Sequence, residues 1–448
     1  MLYAWADMNY KSFSGKQSAD YGRAQRKHLS RSELDNFDPG SRRFDAVKVI
    51  AESCQGRVSR LIPIKFQRMS LSLFAFFRGT VEVMAADLAS AKNTRIEVQL
   101  AGDAHVNNFG FFASPDAQVI FDMNDFDETF RGPWEWDVKR MITSIMLAGR
   151  EAGNNSSVSK EAVDAFLSTY FLWIRRFTHM LTIDVARHHV KRNLTDSLSK
   201  SLREAERSTP AENLRKLAQK TGRGWRFRSR PSLLWNVTGQ TVKTVLGALP
   251  LYRNTLRSEY QLLFDRYHPV DVGFKVVGTG SVGTRDYVVL MFGRDENDPL
   301  ILQVKEEPPA IYSRYLKDPR PRNEGQRVVD GQRALQVSSD MLLGWCSMEG
   351  RDYLVRQLND HKAGCEISDL RGPRLAAYSR LCAELMAKGH ARSGDADAIS
   401  AYVGTGEKAA QSLRRFAVQY ANQVEADYTA FRKALKSGGL NKLLHSSN

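Results

Sequence analysis

The feature that most restricts the fold is a pair of short strands that each end in a polar loop. The loop "GDAHVNNFG" (102–110) follows the alternating run "RIEVQLA" (95–101), and a second strand, "AQVIFDM" (117–123), leads into an acidic loop. Alternation of apolar and polar residues is typical of a strand. Single Asp and Asn residues often cap helices or stabilise turns. So many of them at two successive strand ends indicate a functional site.

The residue types in these loops suit a magnesium site. Asp103 and Asn108 lie five residues apart in the first loop, and Asp125 and Asp127 lie in the second. Magnesium prefers oxygen ligands, usually one or two carboxylates with phosphate oxygens and water. A further Asp near the substrate can accept a hydroxyl proton. Phosphoryl transfer mainly requires positioning and charge neutralisation, so this small set is nearly sufficient. Zinc is not expected at His105, because no Cys or second His has ligand spacing.

The first loop resembles that of the aminoglycoside/choline phosphotransferase branch of the protein-kinase-like superfamily. Those enzymes carry Gly-Asp-x-His-x-x-Asn, which Gly102, Asp103, His105 and Asn108 match here. The resemblance implies that Asp103 and His105 belong to the catalytic loop, with Asp103 as the catalytic base. It also implies that Asn108 binds the metal ion.

Two further features follow in the order that this branch shows. The stretch "NDFDE" (124–128) is similar to its metal loop through Asp125 and Asp127. The stretch "GPWEWDVKR" (132–140) places Asp137 twelve residues after Asp125, at a helix start that steadies the catalytic loop in the branch. The resemblance implies Asp125 as a metal ligand, Asp127 as a candidate second ligand and Asp137 as structural support.

A glycine-rich loop, "GTGSVG" (278–283), lies much later in the chain. A dinucleotide-binding fold would place a helix after the glycines, but "TRDYVVLMF" (284–292) is β-branched and aromatic. Strand, glycine loop, strand is the arrangement of kinases, in which the loop covers the phosphates of ATP. The predicted nucleotide contacts in this loop are Gly278, Gly280, Ser281 and Gly283.

The strand after the glycine loop carries a lysine between apolar residues. In "LILQVKEE" (300–307), Lys305 resembles the third-strand lysine of kinases that binds nucleotide phosphates. An acid on the following helix should hold that lysine, and Glu324 is the candidate. The run "YLVRQL" (353–358) would then be the hinge strand that contacts adenine through its backbone. A β-hairpin with a glycine turn and a solvated lysine is the alternative interpretation.

The order of these features differs from that of an ordinary kinase, because the glycine loop comes about 175 residues after Asp103. A circularly permuted, two-lobed kinase-like fold explains the order, since nearby termini make permutation sterically feasible. The predicted class is α+β. The predicted parts are a helical or loop extension (1–60), a helical lobe (61–260) with a basic insertion at about 187–230, a β-rich nucleotide-binding lobe (261–360) and C-terminal helices that pack on the helical lobe (361–448).

Nearly the whole chain also resembles the bacterial family called domain of unknown function 2252. The motifs that carry this resemblance are "FAFFRG", "GDAHVNNFG", "FDMNDFDET", "GPWEWDVKR", "GSVGTRDY", "LQVKE", "GQR", "HARSGD" and "YANQVEADY". The family name implies no activity, so the kinase hypothesis depends on the site residues alone.

The charge distribution leaves a second function class open. The formal net charge is +15, and residues 187–230 hold thirteen Lys or Arg against four Asp or Glu. Such a balance favours an anionic partner. Trp225 and Phe227 lie among arginines there and could stack on bases. A nucleic-acid-binding module or a pseudokinase is therefore an alternative.

The leading prediction is an ATP- and Mg²⁺-dependent phosphotransferase acting on an unknown acceptor. A metal-dependent phosphoesterase built on Asp103, His105, Asp122 and Asp125 is a further alternative, but it leaves Lys305 unexplained.

No run reaches the length of a membrane span, and the start of the chain lacks the pattern of a signal peptide. These features predict a cytoplasmic protein. The four cysteines (Cys54, Cys346, Cys365 and Cys382) are widely spaced and predicted to be reduced.

Overall fold

The structure is a computed structural model, and it describes residues 15–189, 196–222, 224–230, 233–276, 278–317, 323–358 and 362–446. These residues form a mixed helix-and-sheet protein, which confirms the α+β class. The helices are α1 (Gly15–Gln25), α2 (Ala46–Glu52), α3 (Ile62–Met69), α4 (Leu73–Arg78), α5 (Val81–Ala89), α6 (Trp134–Glu151), α7 (Ser156–Thr178), α8 (Thr182–Ala186), α9 (Asp196–Arg207), α10 (Pro210–Leu217), α11 (Gln240–Arg253), α12 (Ser258–Phe264), α13 (Glu324–Leu335), α14 (Pro373–Ser393), α15 (Ala396–Val403), α16 (Glu407–Lys436) and α17 (Gly439–Ser446). The strands are β1 (Glu97–Leu100), β2 (Phe109–Ala113), β3 (Val119–Met123), β4 (Phe130–Pro133), β5 (Ala218–Thr221), β6 (Gly224–Phe227), β7 (Leu234–Asn236), β8 (His268–Lys275), β9 (Asp286–Phe292), β10 (Pro299–Glu306), β11 (Gly344–Met348), β12 (Arg351–Gln357) and β13 (Ala363–Gly364).

Short antiparallel strands hold the two polar loops next to each other. Strands β2 and β3 pair so that Phe109 lies opposite Met123. The start of β2 and the end of β3 are therefore neighbours, and the N–H of Asn124 donates to the carbonyl of Asn108 at 3.0 Å. Strand β1 pairs with β4 directly before α6. This arrangement brings the ends of both loops to one place.

The largest sheet has six antiparallel strands in the order β11-β12-β10-β9-β8-β7. The predicted strands on both sides of the glycine loop are β8 and β9, and the predicted lysine strand is β10. Lys305 lies opposite Asp286 of β9 and opposite Leu354 of β12. Successive residues of a strand point to opposite faces, so both faces of this sheet need cover.

Different segments cover the two faces of the six-stranded sheet. One face carries Val289 and Leu302 and packs against Tyr252 of α11. The other face carries Val288 and packs against Phe227 of β6. Segments within 210–260, a range predicted to belong to the helical lobe, thus pack on the sheet.

The N-terminal and C-terminal helices share one large core with α6 and α7. Ile50 of α2, Phe166 of α7 and Leu413 of α16 are buried in the same apolar cluster. Trp134 stacks on Tyr170 with ring centroids 5.7 Å apart. Helices α14 to α16 thus lie on the helical part of the molecule, and residues of 15–60 belong to its core.

The structure also bears on two bulk predictions. Over the described residues, no helix has the length and apolar character needed to cross a membrane. All four cysteines are buried free thiols, as the wide spacing predicts.

Candidate active site

The polar loops and the glycine loop line one cavity of about 820 Å³, although they are far apart in the chain. A volume of this size is typical of a site for a small molecule or cofactor. The predicted site residues that line it are Asp103, His105, Asn108, Asp125, Asp127, Gly278, Gly280, Ser281, Lys305 and Glu324. Two predicted residues lie outside its lining: Asp137 is behind the first loop, and Gly283 packs against Arg57.

The turn that presents Asp103 depends on Gly102. This glycine has φ +87°, and a Cβ built on it would lie 1.9 Å from the carbonyl oxygen of Glu128. Only glycine adopts such a conformation without strain, and here the space is closed as well. The first loop is therefore packed directly on the acidic loop.

Asp137 holds the same turn from behind. It lies in the first turn of α6, and its carboxylate accepts from the N–H groups of Ala101 at 2.7 Å and Gly102 at 3.0 Å. His390 of α14 is 3.3 Å from the same carboxylate and 2.8 Å from the hydroxyl of Tyr170. Asp137 thus connects the loop that carries Asp103 to two helices.

The carboxylate of Asp103 is paired with an arginine that the sequence predictions missed. Arg140 donates from Nε to Oδ1 of Asp103 at 2.7 Å, and its Nη2 lies 2.6 Å from the same oxygen. Burial raises the pKa of Asp103, while the charges of Arg140 and Arg78 oppose that effect. Arg140 lies three residues after Asp137, hence on the same face of α6, and this spacing is the signal that could have identified it.

His105 lies beside this pair in neutral form. Its Nε2 is 3.7 Å from Oδ2 of Asp103, and its Nδ1 accepts from the N–H of Asn107 at 3.2 Å. Burial, together with the charges of Arg78 and Arg140, holds the pKa of His105 well below its ordinary value. A buried neutral imidazole of this kind packs beside Asp103 but carries no charge of its own.

The donors at Asn108 and Asp125 suit magnesium better than zinc, since they are oxygen atoms. Asn108 uses Nδ2 to donate to the carbonyl of Asp103 at 2.7 Å, so its amide oxygen is not used in that bond. Burial raises the pKa of Asp125, and the charge of Asp127 raises it further, so a cation would favour its ionised form. Among the described residues, no group of three or more His, Cys, Asp or Glu could hold a metal ion. Phosphate oxygens and water would have to complete the shell.

Lys305 joins the β-sheet to the acidic loop. Its ammonium group is paired with the carboxylate of Asp127 and lies 3.6 Å from Oε1 of Glu307. Burial would lower the pKa of Lys305, but these two carboxylates raise it above its ordinary value. Burial likewise opposes ionisation of Asp127, but Lys305 outweighs it and holds the pKa of that carboxyl well below its usual range.

The predicted pair of Lys305 and Glu324 does not form. Glu324 starts α13 and lines the cavity, but its carboxylate is paired with Arg327. Glu307, two residues after the lysine, occupies the position beside Lys305 instead. A residue two positions along an extended chain lies on the same side as the lysine. This spacing is the signal that could have identified Glu307.

The glycine loop lies over the cavity and is held in place by the helical part. Ser281 donates from its hydroxyl to Oδ2 of Asp127 at 3.0 Å. Arg57 donates to the carbonyl of Val282 at 2.8 Å, and Arg68 donates to the carbonyl of Gly278. Gly278 has φ +69°, which favours glycine.

The strand predicted as a hinge lies inside the sheet. Residues 353–355 of β12 pair with β10 on one side and with β11 on the other. Their backbone groups are therefore used within the sheet and are not available to a base. The prediction of a strand is right, but its backbone contacts with adenine over 353–355 are excluded.

Further charged residues line the cavity without having been predicted, among them Glu128, Glu307 and Arg78. Burial raises the pKa of Glu128 to about 7, although its carboxylate accepts from the N–H of Ile311 at 2.7 Å. Both carboxylate oxygens of Glu307 are buried without a hydrogen bond, and burial raises the pKa of this residue strongly. Arg78, at the end of α4, has a buried Nε with no partner in the described part of the chain. The signal for Arg78 was its motif, "FAFFRG".

Two alternative interpretations lose residues on which they depend. Asp122 is buried and paired with Lys388 of α14, so it does not line the cavity with Asp103, His105 and Asp125. Phe227 is 1% exposed and Trp225 packs against Phe292 with ring centroids 5.9 Å apart. Phe227 is therefore unavailable to stack on a base. Residues 190–195 and 223 of the basic segment lie outside the described residues.

The fold and cavity define an α+β protein with an acidic, cation-lined site between a six-stranded sheet and a helical core. The chain belongs to the domain of unknown function 2252 family, whose description is "uncharacterized protein conserved in bacteria" and whose match covers residues 57–434. No curated protein and no solved structure gives a significant match to the chain.

Proposed function

We propose that this protein is an ATP- and magnesium-dependent phosphotransferase with a kinase-like fold in circularly permuted order. The observation that carries the proposal is the ion pair between Lys305 and Asp127. One partner comes from the segment resembling the phosphate-binding part of kinases, and the other comes from the segment resembling their metal loop. A permuted kinase requires these two segments to meet.

The arrangement of the sheet supports the same proposal. Kinases place a glycine loop before a strand that carries the phosphate-binding lysine, and the glutamate-bearing helix follows. Here the glycine loop joins β8 to β9, Lys305 lies on β10 and α13 follows. The departure is the acid, since Glu307 and Asp127 contact the lysine in place of an acid on α13.

The proposed roles follow from charge and position. Asp103 accepts the proton of the acceptor hydroxyl, as a general base does. Arg140 keeps this carboxylate oriented and ionised. Lys305 and the backbone N–H groups of the glycine loop bind the phosphates of the nucleotide. Asn108 and Asp125 would hold magnesium, which when bound supplies charge neutralisation on the phosphate oxygens.

The test is release of the terminal phosphate from ATP in the presence of magnesium. Asp103→Asn keeps the size of the side chain and removes the base, so the rate should fall on the order of a hundredfold or more. The matched control is Asp164→Asn, because Asp164 is a half-exposed partner of Arg414 away from the cavity. Equal rates for wild type and Asp103→Asn would contradict the role of the base.

A further inference from the structure

Arg78 is placed where a negatively charged group would be expected to bind. It is the last residue of α4 and lines the cavity with Asp103 and His105. Its Nε is buried and has no hydrogen-bond partner among the described residues. A buried polar group without a partner is costly, which points to a ligand that completes it.

The glycine loop contacts the end of α4 that carries Arg78. A Cβ built on Gly280 would lie 3.2 Å from the backbone oxygen of Arg78. Gly280 is therefore in close contact with the end of α4. Arg78 thus lies between the tip of the glycine loop and the catalytic loop with Asp103.

Three other cations of the cavity lining are already engaged. Lys305 is paired with Asp127 and Glu307. Arg57 donates to backbone carbonyls, including that of Val282, and Arg351 is paired with Glu306 at 2.9 Å. Arg78 has no such pair within the described residues, so its charge is available to a ligand.

We infer that Arg78 forms an anion subsite that binds the terminal, transferred phosphoryl group of the nucleotide. This inference rests on the proposed phosphotransferase function. In the transfer, the bond from the terminal phosphorus to the bridging oxygen breaks, and its electron pair leaves on the nucleoside diphosphate. A bond forms from that phosphorus to the acceptor oxygen, whose proton passes to Asp103. Arg78 forms no covalent bond; its N–H groups hold the phosphoryl oxygens as charge redistributes.

The test compares ATP and ADP binding by calorimetry, with magnesium present, for wild type and Arg78→Gln. Only ATP carries the terminal phosphate, so its affinity should fall at least tenfold while that of ADP changes less than twofold. Equal losses for both nucleotides, or no loss for ATP, would overturn the inference. Arg380→Gln on the exposed side of α14 is the matched control, and both affinities should stay at the wild-type value.

Two further measurements keep the outcomes separate. If the wild type binds neither nucleotide, the proposed function fails. Phosphorus NMR with inorganic phosphate then tests whether Arg78 still forms an anion subsite. Weaker phosphate binding by Arg78→Gln would support it, and equal binding would overturn it. If Arg78→Gln does not fold, as judged by its melting temperature, Arg78→Lys replaces it. This variant keeps the charge but loses the fork of donors, so a wild-type ratio of ATP to ADP affinity would count against the subsite.

Discussion

The ammonium group of Lys305 is paired with the carboxylate of Asp127, across 178 positions of the chain. Only 5% of the lysine side chain and 21% of the aspartate side chain are exposed. Removing one partner of a buried pair leaves an uncompensated charge, which is more costly than removing both. This pair therefore links the six-stranded sheet to the acidic loop that carries Asp127.

The pair should show a measurable coupling energy. We expect Lys305→Met and Asp127→Asn each to lower the free energy of unfolding by about 3 kcal/mol. The double variant should lose less than the sum of the single losses, because neither charge is then left alone. Urea unfolding of the four proteins measures the difference. Strictly additive losses would show that the two side chains do not interact.

Gly102 should tolerate no side chain. In Gly102→Ala, the new Cβ would meet the carbonyl of Glu128 in a backbone conformation with positive φ. We expect a loss of several kcal/mol or failure to fold. Gly153→Ala is the matched control, since Gly153 has φ +80° but no atom within 4 Å of the added Cβ. It should lose only about 1–2 kcal/mol, and similar melting temperatures for the two variants would contradict the packing described.

Glu128 should make stability depend on pH. Burial raises its pKa to about 7 from the ordinary value of 4.5, so the folded state holds the proton more tightly. Its stabilising contribution is complete below pH 4.5 and is lost as pH rises through 7. Glu128→Gln should therefore gain up to about 3 kcal/mol relative to wild type between pH 4.5 and pH 8.

Urea unfolding at the two pH values measures this gain. Glu161→Gln, on the exposed side of α7, is the control and should show no such change. If the free energy of unfolding of Glu128→Gln differs from that of wild type by the same amount at both pH values, the pKa of this carboxyl is not raised.

Phe227 should act as a core residue. It is buried against Val288 on the second face of the sheet, so Phe227→Ala should cost about 3–5 kcal/mol. Denaturant unfolding measures this cost, and Leu233→Ala, at a position 37% exposed, should cost much less. A fully stable Phe227→Ala variant with weaker nucleic-acid binding would instead revive the alternative based on base stacking.

Local sequence patterns predict the parts of the site that are local. The strands β1 and β3, the turn at Gly102 and the helix start that carries Asp137 all follow from short-range alternation and spacing. The same holds for β8 to β10 around the glycine loop. These segments could be predicted because each needs only its own residues to define it.

Contacts between distant segments could not be predicted in this way. The choice of Glu307 and Asp127 over Glu324 as partners of Lys305 depends on how the sheet lies on the helical core. The burial of Phe227 likewise depends on the sheet face that it covers. A basic segment with aromatic residues has the same pattern whether it binds nucleic acid or packs on a sheet.

The measurement that tests the central claim most directly is calorimetry of ATP binding with and without magnesium, on wild type and Asp125→Asn. The proposal predicts that the wild type binds ATP with magnesium. It also predicts that affinity falls at least tenfold when either magnesium or the Asp125 carboxylate is removed, because magnesium neutralises the phosphates and Asp125 holds the magnesium. Failure of the wild type to bind ATP, or equal affinity in all of these conditions, would contradict it.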